Sequence, residues 1–274
     1  MNWIEYCSLT ALLGYVIASV AAVAGLLGRS TRVSGAAFSL TAVAFVVHTL
    51  LFIGAVAAQA ESSRLAYLIP FAWCIVAAGL LVRWKLRLDI ALLFVAPLAF
   101  VLLFTAEVLH TSNTILPETL RGPIFFLHLG GVFVGVGLMA VAAGAAVIFL
   151  WQERAIKSKS PLSGFRRELP ALGALDRINA LAAAIGFPCY TLGVLCGFAW
   201  GRIVWKTLAS GDPKELMSLA IWGVYALLFH QRQALGWRGR KPAIMALCIF
   251  IASLFSLFVV NLFLPTHHSF ATYL

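Results

Sequence analysis

The stretch Phe187–Glu215, FPCYTLGVLCGFAWGRIVWKTLASGDPKE, decides how the rest of the chain is interpreted. It begins as an apolar helix that becomes aromatic toward its end, at Trp200 and Trp205. The Asp212-Pro213 pair predicts a turn after that helix, because proline fixes φ and lacks an amide hydrogen. The next apolar helix starts at once, at Glu215. Two hydrophobic helices therefore enclose a small polar and aromatic loop, which is suited to covering a flat apolar ligand.

The composition places the chain in a membrane. Of its 274 residues, 62% are hydrophobic and only 11% are charged, a balance that excludes a soluble domain. A net charge of +10 would suggest nucleic-acid binding in a soluble protein. Here the orientation of the helices explains the charge better, so we expect membrane lipid as the surroundings and no nucleic-acid partner.

The pattern of apolar stretches predicts an all-α, polytopic helical bundle that forms a single membrane domain over residues 1–274. A spanning helix needs about 20 apolar residues. On that criterion we expect eight spans, at roughly 6–27, 35–57, 64–82, 88–107, 123–150, 178–205, 215–235 and 242–263. The longest connection, 151–177, is basic and contains proline. In span five, Gly131-x-x-x-Gly135 predicts close packing against a neighbouring helix.

The basic residues predict the orientation. Three quarters of the 20 lysines and arginines follow spans one, three, five and seven. Because basic residues concentrate in cytoplasmic loops, both termini and the Asp212 loop are expected outside. In a bacterium this places the protein in the cytoplasmic (inner) membrane, with its functional face outward.

Histidines supply candidate ligands, since an ionisable side chain in a membrane span is costly. His128 lies one to two turns into span five from the outer side, and His267 and His268 follow the outer end of span eight. One histidine from each flank, beside an aromatic loop, suits bis-imidazole ligation of haem iron. No Cys-x-x-Cys-His motif occurs, so the chain does not itself carry c-type haem, and the haem would be non-covalent, b-type.

Other interpretations of the histidines remain open. A di-histidine zinc site is the rival, although no third Cys, Asp or Glu ligand lies obviously near. His48, in the middle of span two, either marks a site or hydrogen-bonds a neighbouring helix. His110 belongs to an outer loop. His230 lies about 15 residues into span seven, some 22 Å along the helix and near the cytoplasmic boundary.

Several motifs fall in a recognisable order along residues 120–270: Leu175-Asp176, Gly186-Phe187-Pro188, Gly197, Trp200, Asp212-Pro213-Lys214-Glu215, Gly236-Trp237-Arg238-Gly239 and Val260-Asn261. This core resembles the CcsA/ResC-type cytochrome c assembly proteins, a haem-handling family with a tryptophan-rich external motif. Residues 1–119 are similar only as a set of hydrophobic spans.

The resemblance implies roles for individual residues. His128 and His268 correspond to the family's two external haem ligands, and His230 to a further histidine near the cytoplasmic side. The haem platform corresponds to Trp200, Trp205, Asp212, Pro213, Lys214 and Glu215. Lys214 either pairs with a haem propionate or extends its charge to the membrane surface as an ordinary interfacial lysine.

The resemblance also implies a task. The family passes haem across the membrane and holds it, reduced, beside the Cys-x-x-Cys-His motif of an apocytochrome c, usually with a CcsB/ResB-type membrane partner. It leaves open whether this chain is a component of a haem lyase (cytochrome c synthase).

One departure from the family concerns the loop, which in the family reads approximately Trp-Gly-x-Tyr-Trp-x-Trp-Asp-Pro-Lys-Glu. Ala209 and Gly211 stand where two tryptophans are expected. Burying one aromatic side chain contributes roughly 2–3 kcal/mol, so haem retention is weakened unless Trp200, Trp222 or Phe125–Phe126 fill the gap. The alternative function is that of a CcsA-like relative, which binds haem or a partner for regulation, electron transfer or structural purposes without attaching haem. A small-solute transporter is the weaker third class, because inverted repeats are not evident.

Overall fold

Every regular element that the computed structural model describes is helical. It describes residues 3–57, 63–86, 88–108, 122–159, 169–207, 210–260 and 263–264. The helices are α1 (Trp3–Leu27), α2 (Thr31–Ala57), α3 (Ser63–Leu86), α4 (Leu92–Val108), α5 (Pro123–Lys157), α6 (Leu172–Val204), α7 (Pro213–Gln233) and α8 (Arg240–Phe255). A short 3-10 turn, Asp89–Ala91, precedes α4, and a π-helical segment, Ser256–Val260, continues α8.

The predicted all-α membrane bundle is confirmed, and each predicted span corresponds to one of these helices. Among the described residues, six helices are long and apolar enough to cross a membrane: α1, α2, α3, α5, α6 and α8 with its π-helical extension. Helix α4 is apolar but has only 17 residues. Helix α7 has 21 residues and carries charged or polar side chains at both ends.

The predicted bounds of spans five and six were too short. Helix α5 continues to Lys157 and α6 begins at Leu172, so much of the predicted connection 151–177 is helical. The extra turns of α5 are polar, and Lys157 donates to the Glu153 carboxylate over 2.8 Å, one turn away. Such an i,i+4 pair supports a helix outside the apolar core.

Helix α5 is the centre of the bundle. It packs against α3, α6 and α8, while α1 packs against α2 and α4. Its middle, from Gly135 to Ala146, is buried on all sides by these neighbours. This explains why the stretch is rich in alanine and glycine: small side chains let several helices approach one axis.

The close packing predicted for Gly131 and Gly135 is present, and the partner is α6. A Cβ atom on Gly131 would lie 2.7 Å from the Cys189 carbonyl oxygen and 2.7 Å from the Gly193 nitrogen. One on Gly135 would lie 2.7 Å from the Tyr190 Cβ atom. The backbones of the two helices therefore touch where these glycines meet.

His48 has a structural role in the first half of the chain. Its Nε2 atom lies 3.1 Å from the Ile69 carbonyl oxygen, and its Nδ1 atom lies 3.1 Å from the Tyr15 hydroxyl. Because a carbonyl only accepts, Nε2 donates to Ile69 and Nδ1 accepts from Tyr15. Both ring nitrogens are engaged in joining α2 to α3 and α1, which is the simpler of the two interpretations of this residue.

An ion pair fixes the end of the bundle opposite the N-terminus of α7. The guanidinium of Arg232 donates to both carboxylate oxygens of Asp176, each over 3.1 Å, and to the Asp176 carbonyl over 2.8 Å. The same carboxylate accepts from the Gly239 amide over 2.9 Å, and Gly239 has a φ of +80°. The motifs Leu175-Asp176 and Gly236–Gly239 thus meet in space and tie α6, α7 and the turn before α8 together.

Replacing Asp176 by alanine is expected to destabilise the protein on the order of 3–5 kcal/mol, because it leaves the 5% exposed Arg232 guanidinium without its anion. The measurement is thermal unfolding in detergent. The matched control is Lys157→Ala, which removes a cation that is 63% exposed and is expected to cost less than about 1 kcal/mol. Equal losses in the two variants would contradict the structural role of the Asp176 pair.

Candidate functional site

A large pocket opens at the end of the bundle where α5 begins, α6 ends and α7 begins. Its empty volume is about 1280 Å³, including the part that opens to solvent. It extends from His128 to Val136 along α5, which is roughly 12 Å at 1.5 Å per residue. The deeper wall is mostly apolar and includes Phe71, Phe133, Tyr190 and Ile221.

The half-buried His128 faces this pocket, and α6 holds its ring. Its Nδ1 atom lies 2.8 Å from the Gly193 carbonyl oxygen, which can only accept, so Nδ1 carries the hydrogen. Nε2 is then the unprotonated nitrogen, and no described residue hydrogen-bonds to it. A histidine that ligates a metal typically donates its other N–H in this way, which fixes the tautomer and the ring orientation.

An aromatic cluster closes one side of the pocket. The Trp200 ring lies 5.5 Å from Phe125 and 5.0 Å from Trp205 between centroids, and all three residues line the pocket. The indole N–H of Trp200 is buried and finds no acceptor among the residues that the structure describes. An unsatisfied buried donor is unfavourable by about 1–3 kcal/mol, so a bound molecule with an acceptor oxygen would improve this site.

The residues expected to replace the missing tryptophans divide into two groups. Trp200 and Phe125 belong to the pocket wall, whereas Phe126 in the first turn of α5 is 56% exposed. Trp222 is directed elsewhere: its N–H donates to the Thr191 hydroxyl over 3.0 Å. The aromatic surface is therefore built from the ends of α5 and α6 rather than from the loop.

The polar turn before α7 is held by its own side chains. The Asp212 carboxylate caps α7 by accepting from the Lys214 amide over 2.7 Å, and Pro213 is the first helical residue. Glu215 reaches back to accept from the Ser210 amide over 2.9 Å. Between them Gly211 has a φ of +73°, a backbone conformation that favours glycine.

Of the four predicted platform residues in this turn, two line the pocket and two shape the helix start. Lys214 and Glu215 are pocket residues, while Asp212 and Pro213 set the direction of α7. Burial lowers the pKa of the Lys214 ammonium to about 8, and the neighbouring Asp212 carboxylate opposes that shift. An anionic group on a ligand would stabilise this partly desolvated cation.

The structure places His230 far from the pocket that His128 faces. His230 is exposed in the last turns of α7, roughly 24 Å along the helix from Lys214, and it does not line the pocket. His268 and His267 lie outside the described residues, as do His110 and Ala209. Within the described part of the chain, no group of three or more His, Cys, Asp or Glu side chains is placed to hold a metal ion.

Sequence reasoning missed the residues that support His128. Gly197 was recognised only as part of the motif order, and the sequence did not show that the Gly193 carbonyl and the Gly197 surface hold the imidazole ring. Sequence reasoning also missed the contribution of α8, whose Ser253 lines the pocket together with Ser256 and Leu257 of the π-helical segment. Segments of π-helix are rare and are often found at functional sites.

Comparisons with a family model and with individual proteins indicate the same family. The family model described as "Cytochrome C assembly protein" matches residues 6–268. The cytochrome c biogenesis protein CcsA of Prochlorococcus marinus is 27% identical over 228 residues, which are 73% of this chain and 71% of that protein. CcsA of Nostoc punctiforme is 35% identical over 119 residues, 43% of this chain and 33% of that protein.

CcsA of Rippkaea orientalis is 40% identical over 96 residues, 35% of this chain and 28% of that protein. In the Nostoc and Rippkaea comparisons, therefore, the chain spans only about a third of the relative's length. The family model, in contrast, extends from α1 to beyond α8. The protein belongs to the cytochrome c assembly protein family.

Proposed function

We propose that this protein acts in cytochrome c biogenesis by holding haem non-covalently, as b-type haem, on the outer side of the bacterial cytoplasmic membrane for attachment to apocytochrome c. The observation that carries the proposal is His128, whose ring is fixed by the Gly193 carbonyl and whose Nε2 atom is left unprotonated at the edge of a large aromatic pocket. The similarity to proteins named CcsA supports the pathway.

The chemistry of the pocket fits haem. A neutral imidazole nitrogen is a common iron ligand, and a flat macrocycle favours apolar and aromatic walls. The wall contains Phe125, Trp200 and Trp205, and the buried Trp200 N–H has no acceptor in the described part of the chain. Lys214 offers a cation to a propionate at the same opening. Bound there, haem would supply the vinyl groups that are joined to the cysteines of the apocytochrome.

His268 would be the second histidine to hold the haem iron. The π-helical segment Ser256–Val260, which leads toward this residue, already contributes Ser256 and Leu257 to the pocket wall. His230 is too far along α7 to share that iron, so we assign it to a separate step near the cytoplasmic side. A membrane partner of the CcsB/ResB type would complete the assembly.

The basic residues support an outward-facing pocket. They are concentrated after α1, α3, α5 and α7, at the ends of these helices opposite the pocket, and such residues normally face the cytoplasm. The pocket would then open to the compartment in which an exported apocytochrome arrives.

The proposal is tested by a visible spectrum and by a deletion strain. Protein purified from haem-replete cells is expected to show the Soret and α bands of low-spin b-type haem. A strain lacking the gene is expected to lose c-type haem staining, and restoring the gene should restore it. A colourless preparation together with normal cytochrome c maturation in the deletion strain would overturn the proposal.

The second candidate function, a relative that binds haem without attaching it, is favoured by Ala209 and Gly211 in place of two tryptophans. The visible spectrum and the deletion strain together distinguish this function from haem attachment. A protein that has the haem spectrum, in a strain whose cytochromes c mature normally without it, would be a haem-binding protein of regulation or electron transfer.

Replacing Lys214 by methionine is expected to weaken haem binding about 10- to 100-fold, because a hydrogen bond to a charged group contributes about 1.5–3 kcal/mol. Titration of the apoprotein with haem in detergent gives the affinity. Lys206→Met is the control, since Lys206 is exposed on the same side of the bundle and does not line the pocket. Unchanged affinity in Lys214→Met would mean that this lysine serves only the membrane surface.

A further inference from the structure

The imidazole of His128 lies against α6 where two glycines follow each other at one-turn spacing. Gly193 provides the carbonyl that accepts from Nδ1 over 2.8 Å. A Cβ atom on Gly197, one turn later, would lie 2.7 Å from Cε1 and 2.7 Å from Nδ1 of the ring. Real Cβ atoms do not approach this closely, so the ring occupies the space that a side chain at position 197 would need.

The two glycines have different neighbours. A Cβ atom on Gly193 would meet backbone, with the Val132 nitrogen at 2.5 Å and the Gly131 carbonyl carbon at 2.9 Å, so Gly193 sets the distance between α5 and α6. The three nearest atoms to a Cβ on Gly197 all belong to the His128 ring. A methyl group at 197 therefore has to displace the imidazole, whereas one at 193 has to separate two helices.

We propose that Gly197 is a positioning residue for His128. Its missing side chain lets the ring lie on α6, where Nδ1–H reaches the Gly193 carbonyl and Nε2 stays available to the pocket. The part of this inference that concerns iron rests on the proposed function, but the placement of the ring does not.

We therefore expect Gly197→Ala to fold while its His128 imidazole is wrongly oriented toward the pocket. In Gly197→Ala the helices can stay together, because no backbone atom is among the nearest neighbours of the new methyl group. Alanine also favours a helix over glycine by about 1 kcal/mol, which helps to keep the variant folded. The imidazole has to rotate, and its hydrogen bond to Gly193 is lost. Losing such an orienting partner typically weakens metal binding about 10- to 100-fold.

The control is Gly173→Ala, a change of the same kind in the first turn of α6, where a Cβ atom would meet open space. Both variants are compared with the unchanged protein by thermal unfolding in detergent, haem titration and the low-spin spectrum. A measurement without haem is nitrogen-15 NMR of labelled histidine, which reports which ring nitrogen carries the hydrogen. The His128 signal is identified by its loss in His128→Gln.

We expect unfolding close to that of the unchanged protein in both variants. Gly197→Ala alone is expected to lose the Nδ1–H tautomer signature and to bind haem 10- to 100-fold more weakly, with free imidazole restoring the low-spin spectrum. An unchanged His128 NMR signal in Gly197→Ala would overturn the inference. If the signal changes but the unchanged protein binds no haem, the positioning of the ring stands and the proposed function fails.

Discussion

Replacing His128 by alanine is expected to abolish the low-spin haem spectrum of the purified protein and to stop cytochrome c maturation in cells. The change removes an unprotonated pocket nitrogen, Nε2, on a ring whose other nitrogen is held by the Gly193 carbonyl. The apolar walls would still attract a porphyrin, but they offer no ligand in place of the imidazole. The measurements are the visible spectrum after purification and haem staining of a deletion strain that carries the variant.

Two further measurements make this result specific. Free imidazole should enter the space left by the side chain and restore the low-spin bands, which a misfolded protein would not allow. His230→Ala is the positional control: it removes a histidine that is exposed at the far end of α7, so haem added to the purified apoprotein should still give the pocket spectrum. A low-spin spectrum that persists in His128→Ala would show that iron is held elsewhere.

Replacing Gly131 by valine is expected to prevent the protein from accumulating, or to lower its unfolding temperature sharply. A Cβ atom at this position meets only backbone atoms of α6, the nearest at 2.7 Å, so the two helices have to move apart. Overpacking usually costs about 1–3 kcal/mol when side chains can shift, and more is expected where only backbone can yield. Amounts in the membrane fraction and thermal unfolding in detergent measure the effect.

The neighbouring glycine supplies a control for the same substitution. A Cβ atom on Gly130 would have nothing within 4 Å, so Gly130→Val faces open space and should leave both amount and stability nearly unchanged. Similar losses in Gly130→Val and Gly131→Val would mean that valine is harmful to α5 in general. The contact with α6 would then not be the reason.

Much of the fold is predictable because the membrane imposes it. A span of about 20 apolar residues has to be helical, since no water satisfies its backbone, and this requirement defined eight segments. The ends of α5 and α6 were harder to predict, because residues 151–157 and 172–177 leave the apolar stretch while their helices continue. Their stability depends on side-chain pairs such as Asp176 with Arg232, which are 56 residues apart in the chain.

The sequence predicted individual residues of the candidate site, but it did not predict how they contact one another. Histidine in an apolar span, a short aromatic run and an Asp-Pro turn are visible in the chain itself. The hydrogen bond from His128 to Gly193 joins residues 65 positions apart, and the local sequence around either residue does not predict it. The same is true of the Phe125 and Trp200 contact, which shifts the aromatic surface from the loop to the helix ends.

The backbone at Gly211 has a consequence for protein engineering. Its φ of +73° is a conformation that a bulky side chain adopts only at a cost of about 1–3 kcal/mol. The single substitution Gly211→Trp would therefore be opposed by the turn that directs α7. Building the tryptophan-rich loop of the family requires replacing the whole segment between Trp205 and Asp212, with a main-chain path that suits its new residues.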